Sequence, residues 1–317
     1  AIPWEAVAAM ALARAESRSR LGHFSTLDAE LSHLAQRAWT QSDPAVAAEA
    51  LALLAAGLRP AGNLQRCRTL AEEAVLAAST AQQPRLDVLA QAVLGLIQIE
   101  QGDGAAARRC LAQAQARLAG DDLPGLLRTL NLQWIIALRS GDHPQAVQCG
   151  ERALHLAVAA GSRTWEASSL KLLAIATADF ARRRSLLDQA LAVYEEDGDR
   201  VGEAQMLTNL ALWCGDAGLY AQAIQYDEQA LRISREIGMA LQIAYILDGL
   251  GLFLMEAGDL DRAAAVMAET LALAHKMGQQ RLITNQTLYL AQVELHRDRP
   301  QAALGRLAAL EHIWPSR

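Results

Sequence analysis

Aromatic residues are scarce in this chain of 317 residues. Phe, Trp and Tyr supply 4% of it, although 52% is hydrophobic. The apolar content is therefore mostly Ala and Leu, the residues that lose least on entering a helix, and no stretch shows the β-branched and aromatic alternation that strands require. Proline is sparse too, eight in all, which leaves long uninterrupted segments. An all-α fold is expected. No apolar run reaches the ~18 to 20 residues of a membrane span, because charged or polar residues interrupt even "AVAAEALALLAAGLR" and "AYILDGLGLFLMEAG". The four cysteines, Cys67, Cys110, Cys149 and Cys214, lack CxxC spacing and read as small buried thiols, as in the reducing cytoplasm. Lysine is almost absent: Lys171 and Lys276 stand against arginine at the other 27 of 29 basic positions, and 35 acids leave a formal net charge of −6. That balance excludes a general attraction to nucleic acid, so no direct contact with it is expected.

The signatures of chemistry are missing as well. Neither lysine follows a glycine, so there is no GxxxxGK[ST], and GxSxG, HExxH and paired CxxC do not occur. The histidines (His23, His33, His143, His155, His275, His296, His312) show no i,i+4 pair of the kind a helical metal site uses. "ARRRS" at Ala181 to Ser185 reads as a solvated helix face, and "YEEDGD" at Tyr194 to Asp199 lacks the twelve-residue ligand pattern of a calcium loop. A non-catalytic protein with no cofactor and no metal is expected.

What the sequence does hold is a repeat. "GLYAQAIQYDEQALRISREIG", Gly218 to Gly238, returns forty residues later as "GDLDRAAAVMAETLALAHKMG", Gly258 to Gly278. The mid-repeat glycines Gly22, Gly62, Gly102, Gly141, Gly218 and Gly258 mark the same period, and one further step reaches Asp298. The longer gap between Gly141 and Gly218 holds a regular repeat and one shortened by three residues at its turn. Eight repeats follow, at 3–40, 44–80, 84–120, 122–161, 163–198, 200–238, 240–278 and 280–314. A chain this long exceeds the size of one globular core, so an elongated array is expected.

Each repeat divides into two helices of about four turns, A and B, with a glycine closing each. Asp103, Asp142 and Asp259 are placed to cap the B helices, and Pro144 and Pro300 stand where a first-turn proline is tolerated. Within helix B, small residues recur seven apart: Ala223 with Ala230, Ala107 with Ala114, Ala146 with Ala153, and Cys67 with Ala74. They let helix B lie close against its own helix A, whose facing surface is Leu207, Leu210 and Ala211 in one repeat and Leu247, Leu250 and Gly251 in the next. In the first repeat Leu27 and Leu34 occupy the small positions.

"LTNLALWCGDAGLYAQAIQYDEQAL" and "LDGLGLFLMEAGDLDRAAAVMAETL" resemble tetratricopeptide repeats in their order of Leu, Gly or Ala, Gly, Ala and a closing Ala-Leu, which is Thr-Leu in the second copy. HEAT and armadillo repeats share the length but lack this pattern. The long period resembles the variety in kinesin light chains, in Rap-type peptide sensors and in the sensor region of MalT-type transcription activators. The resemblance implies a right-handed α-α superhelical solenoid of about eight hairpins, a single solenoid over 1–317, with the A helices on its concave wall. The chain lacks an initiator Met and clear capping helices, so it is expected to be a piece of a larger protein.

Aligned across repeats, the A helices offer an apolar row, Leu96, Ile135, Ile175, Leu212 and Leu252. Beside it stand Arg128, Asn131, Lys171, Gln205, Thr208, Asn209, Tyr245, Asp248, Asn285 and Tyr289. Amides beside an apolar floor suit an extended peptide or a small ligand. Asn209, in "TNLA", matches by resemblance the position from which peptide-binding relatives grip a peptide backbone. The expected partner is a protein, a peptide or a small effector, not a membrane. The resemblance further implies a multidomain bacterial transcription or signalling regulator, with an ATPase module before this segment and a DNA-binding module after it. The alternatives are a stand-alone peptide-pheromone receptor and a structural adaptor.

Overall fold

The structure is a computed structural model, and it describes residues 3–21, 23–59, 63–308 and 310. Gly22, Gly62 and His312 lie outside the described residues. Sixteen α-helices and no strand are present among the described residues, arranged as eight consecutive hairpins. They are α1 (Trp4–Leu21) with α2 (Phe24–Thr40), α3 (Pro44–Leu58) with α4 (Leu64–Ala81), α5 (Pro84–Glu100) with α6 (Gly104–Arg117), α7 (Leu123–Arg139) with α8 (His143–Ala159), α9 (Arg163–Ala176) with α10 (Phe180–Glu196), α11 (Arg200–Asp216) with α12 (Tyr220–Ile237), α13 (Ala240–Glu256) with α14 (Leu260–Met277), and α15 (Gln280–His296) with α16 (Pro300–Ala308). The fold is an all-α solenoid of helical hairpins. Two compact units divide within α11, Ala1–Glu203 and Ala204–Arg317.

In the N-terminal unit each A helix packs on its own B helix and on the next A helix, as α1 on α3, α3 on α5, α5 on α7 and α7 on α9. Within the C-terminal unit α13 packs on α15 in the same way. The turns follow the sequence. Gly218 and Gly258 adopt φ of 72° and 84°, the left-handed conformation that ends a helix and that a side chain would strain. Asp298, in the eighth hairpin, takes the same conformation at φ 57°. The capping aspartates also act as expected: Asp103 Oδ1 accepts from the Ala106 N–H at 2.9 Å, Asp142 Oδ1 from Gln145 at 3.0 Å and Asp259 Oδ1 from Arg262 at 3.2 Å. Pro144 lies in the first turn of α8. In the shortened repeat the loss is taken from the end of the A helix: α9 has 14 residues against 17 in α7, and Thr177 leaves it in an extended conformation.

The small residues of the B helices lie in the core. Ala223 clusters with Ala211 and Cys214 of α11 and with Phe253 of α13, so α12 is held between its own A helix and the next. Ala146 and Ala153 sit likewise among Leu127, Leu130 and Trp134 of α7 and Leu172 of α9. All four cysteines are buried and none is in a disulfide, and burial pushes the Cys110 thiol up to about 11. The first hairpin solves its large residue differently. Leu27 is buried, and a Cβ on Gly57 of α3 would come within 2.5 Å of its Cδ2, so glycine on the neighbouring helix makes the room that alanine makes elsewhere.

Successive B helices are further tied by ion pairs. Arg66 of α4 meets Asp28 of α2 at 2.6 Å, Arg182 of α10 meets Glu151 of α8 at 2.8 Å, and Arg262 of α14 meets Glu228 of α12 at 2.6 Å. These pairs are exposed, each worth at most about 1 kcal/mol, and they serve register more than stability. No helix among the described residues is long and apolar enough to cross a membrane.

Candidate functional site

In the N-terminal unit the polar positions of α7 and α9 converge. Asn131 and Lys171 line a small cavity of about 90 Å³, together with Trp165 and Ser168. The Arg128 guanidinium stands over the Trp165 ring, 5.7 Å from its centroid. Burial pulls Arg128 down from its ordinary value, and the charge of Glu16 is foremost in opposing this. The three expected residues are thus brought together, around a tryptophan that the sequence reading passed over. Ser168 Oγ lies 3.5 Å from the Tyr194 hydroxyl.

In the C-terminal unit, Gln205, Thr208, Asn209 and Leu212 stand on α11, Tyr245, Asp248 and Leu252 on α13, and Asn285 and Tyr289 on α15. None is fully buried. Leu212 is 50% exposed and Tyr245 37%, so an apolar floor does reach solvent. Several of the polar groups already have work within the fold. Asn209 Nδ2 donates to the Gln205 carbonyl at 2.8 Å, one turn back on its own helix. Thr208 Oγ1 donates to the Ala204 carbonyl at 2.9 Å and accepts from Gln242 Nε2 of α13 at 3.1 Å. Asp248 Oδ1 accepts from Gln286 Nε2 of α15. Thr208 with Gln242 and Asp248 with Gln286 therefore tie each A helix to the next.

Asp248 and Tyr289 feel one another. Burial lifts the Asp248 carboxyl above its usual value against the pull of Arg281 and the Gln286 bond, while burial and then the Asp248 charge raise the Tyr289 phenol. Arg281 stands 5.8 Å from the Tyr245 ring centroid. Arg281, Gln286 and Gln242 were not foreseen. Arg281 was legible, since 281, 285 and 289 step along one helix face at i,i+4. Gln286 was legible as a break in a core column, standing where the two preceding repeats place Ile246 and Met206. It is fully buried and its Oε1 has no partner among the described residues. No group of three metal-ligating side chains occurs among the described residues.

Stacked A and B helices, with mixed polar and apolar side chains along the A helices, define a helical-hairpin repeat scaffold. Residues 172–236 match the tetratricopeptide repeat family model. No curated protein sequence matches it. Among the solved structures that share its fold are the following three. One is a signal transduction ATPase with numerous domains that carries a tetratricopeptide repeat sensor, from Pyrococcus horikoshii, at 16% identity and TM-score 0.63 over 93% of this chain and 46% of that one. A second is a Rap protein complexed with competence and sporulation factor, at 14% identity and TM-score 0.67 over 98% and 94%. The third is from the APC/C hetero-tetramer Cut9-Hcn1, at 15% identity and TM-score 0.68 over 97% and 53%. The chain spans about half the length of the first and third of these. At such identities the likeness is one of fold.

Proposed function

We propose that this chain is a non-catalytic recognition scaffold and that the A-helix face of its C-terminal unit takes a peptide. The observation that carries the reading is the exposed floor at Leu212 and Tyr245 beside the amides of Asn209 and Asn285. Outward carbonyl and amide groups pair with a peptide backbone in both directions, and the floor receives side chains. The Asn131, Trp165 and Lys171 cavity in the N-terminal unit is a candidate for a small effector.

The segment is proposed to serve as the sensor of a multidomain bacterial transcription or signalling regulator acting in the cytoplasm. Support comes from the Pyrococcus horikoshii protein, in which a tetratricopeptide repeat sensor is part of a larger ATPase. The match over 94% of the Rap protein supports the rival reading, a stand-alone peptide receptor. Flanking gene sequence separates the two: an upstream P-loop ATPase and a downstream helix-turn-helix support the regulator, and an open reading frame that stops near Arg317 overturns it.

An array of pentapeptides probed with the wild-type chain and with Leu212→Asp/Tyr245→Ala tests the face itself. Both side chains are exposed, so helicity and melting temperature are expected to hold. Peptides that bind the wild type are expected to lose about tenfold or more in affinity, about 1.4 kcal/mol. Equal binding by the double variant removes the site.

A further inference from the structure

A cleft in the N-terminal unit, lined by both A- and B-helix residues, has a different character. We propose that the cleft between α4, α5 and α6 binds a small zwitterion carrying one ammonium and one carboxylate, of the class of free amino acids and short peptides. It lies wholly within the N-terminal unit and does not depend on the peptide face proposed above.

The cleft lies beside the C-terminal end of α6, which is short. That helix has 14 residues against 18 in α4 and 17 in α8, and Leu118 leaves it in an extended conformation. Where the missing turn would lie, an opening of about 610 Å³ forms beside the first half of α5, within the range of small-molecule sites. Two short columns line it. Asp87 and Gln91 stand one turn apart on α5, and Gln113 and Arg117 stand one turn apart on α6.

Two features single these groups out. Asp87 and Arg117 line the same cleft with opposite charge, yet neither forms an ion pair or side-chain hydrogen bond with any described residue. Gln91 Oε1 is buried without a partner, and a buried acceptor in that state costs the full loss of its water.

The chemistry of a fitting guest follows. An ammonium set against Asp87 gives one N–H to its carboxylate and another to Gln91 Oε1. A carboxylate at the other end takes paired N–H bonds from Arg117 and one from the Gln113 amide. A neutral molecule satisfies only the amides, and a singly charged one pairs with only one of Asp87 and Arg117.

Calorimetry on the full chain tests this, with the twenty free amino acids and the alanyl di- and tripeptides as probes, each also as its N-acetyl and C-amide form. The expected result is that at least one unblocked probe binds with Kd below ~1 mM and that each block weakens it about tenfold. Asp87→Asn is expected to abolish the penalty of acetylation alone, and Arg117→Gln the penalty of amidation alone. Both residues reach solvent, and circular dichroism checks that the variants remain folded. Binding by single amino acids or only by peptides tells which source supplies the zwitterion. The proposal is overturned if no unblocked probe binds at 10-fold that concentration, if blocked and free forms bind alike, or if both variants keep both penalties.

Discussion

Asp227 shows what a single side chain can cost this fold. It lies on the inner face of α12 at 1% exposure, its Oδ1 without a partner among the described residues. It fits because α13 carries Gly249 there: a Cβ at that position would stand 3.2 Å from its Oδ2. Burial alone pushes the carboxyl up to about 8. The folded chain then holds this proton more tightly than the unfolded chain, whose carboxyl titrates at its ordinary value. The stability from Asp227 is complete at acid pH, below the unfolded value, and is lost as pH rises toward 8. Asp227→Asn is expected to raise the stability of residues 204–317 at pH 7 to 8, by on the order of 1 kcal/mol or more, and to change it little at pH 4. Urea denaturation across that range checks it, and a pH profile parallel to the wild type counts against the buried carboxyl. The position was legible and was missed: one period on, the same column holds the fully buried Met267. A repeat was read for what recurs, and Asp227 matters because it does not.

At the scale of the helix, the recurring small residues decide the packing. Ala223 and Ala230 are fully buried on α12, and a helix can approach two A helices at once only where its side chains end at Cβ. Ala230→Leu adds three carbons where no space is left and is expected to cost about 1 to 3 kcal/mol, seen as a lower denaturation midpoint at unchanged slope. An unchanged midpoint contradicts this contact. Helix boundaries were largely readable, because glycine, proline and capping aspartate state them locally: Gly218 and Gly258 take the left-handed conformation after α11 and α13, and Asp103, Asp142 and Asp259 cap α6, α8 and α14. Less readable was how neighbours compensate, as Gly57 does for Leu27, since that depends on which helices meet. The ties from Thr208 to Gln242 and from Asp248 to Gln286 were hidden for the same reason. Alignment showed that these polar groups share a face, but a hydrogen bond is a property of two helices.

Over the whole molecule, a 40-residue period and a Gly/Ala signature were enough to give an all-α solenoid of hairpins, because no hairpin can bury its own apolar face alone. Function is less legible. Repeat scaffolds are alike in what holds them together and differ in what they display, so fold leaves the guest open and the exposed residues must supply it. Those proposed here are Leu212, Leu252, Tyr245, Asn209, Asn285 and Tyr289 in the C-terminal unit. Methyl NMR of the isotope-labelled chain, titrated with the pentapeptide that binds tightest in the array, tests this most directly. The account predicts that the Leu212 and Leu252 methyls shift while those of Leu231 and Val266, which line a groove among α12, α13 and α14, stay in place. Shifts confined to Leu231 and Val266, or no shift at Leu212 and Leu252 at saturation, would contradict it.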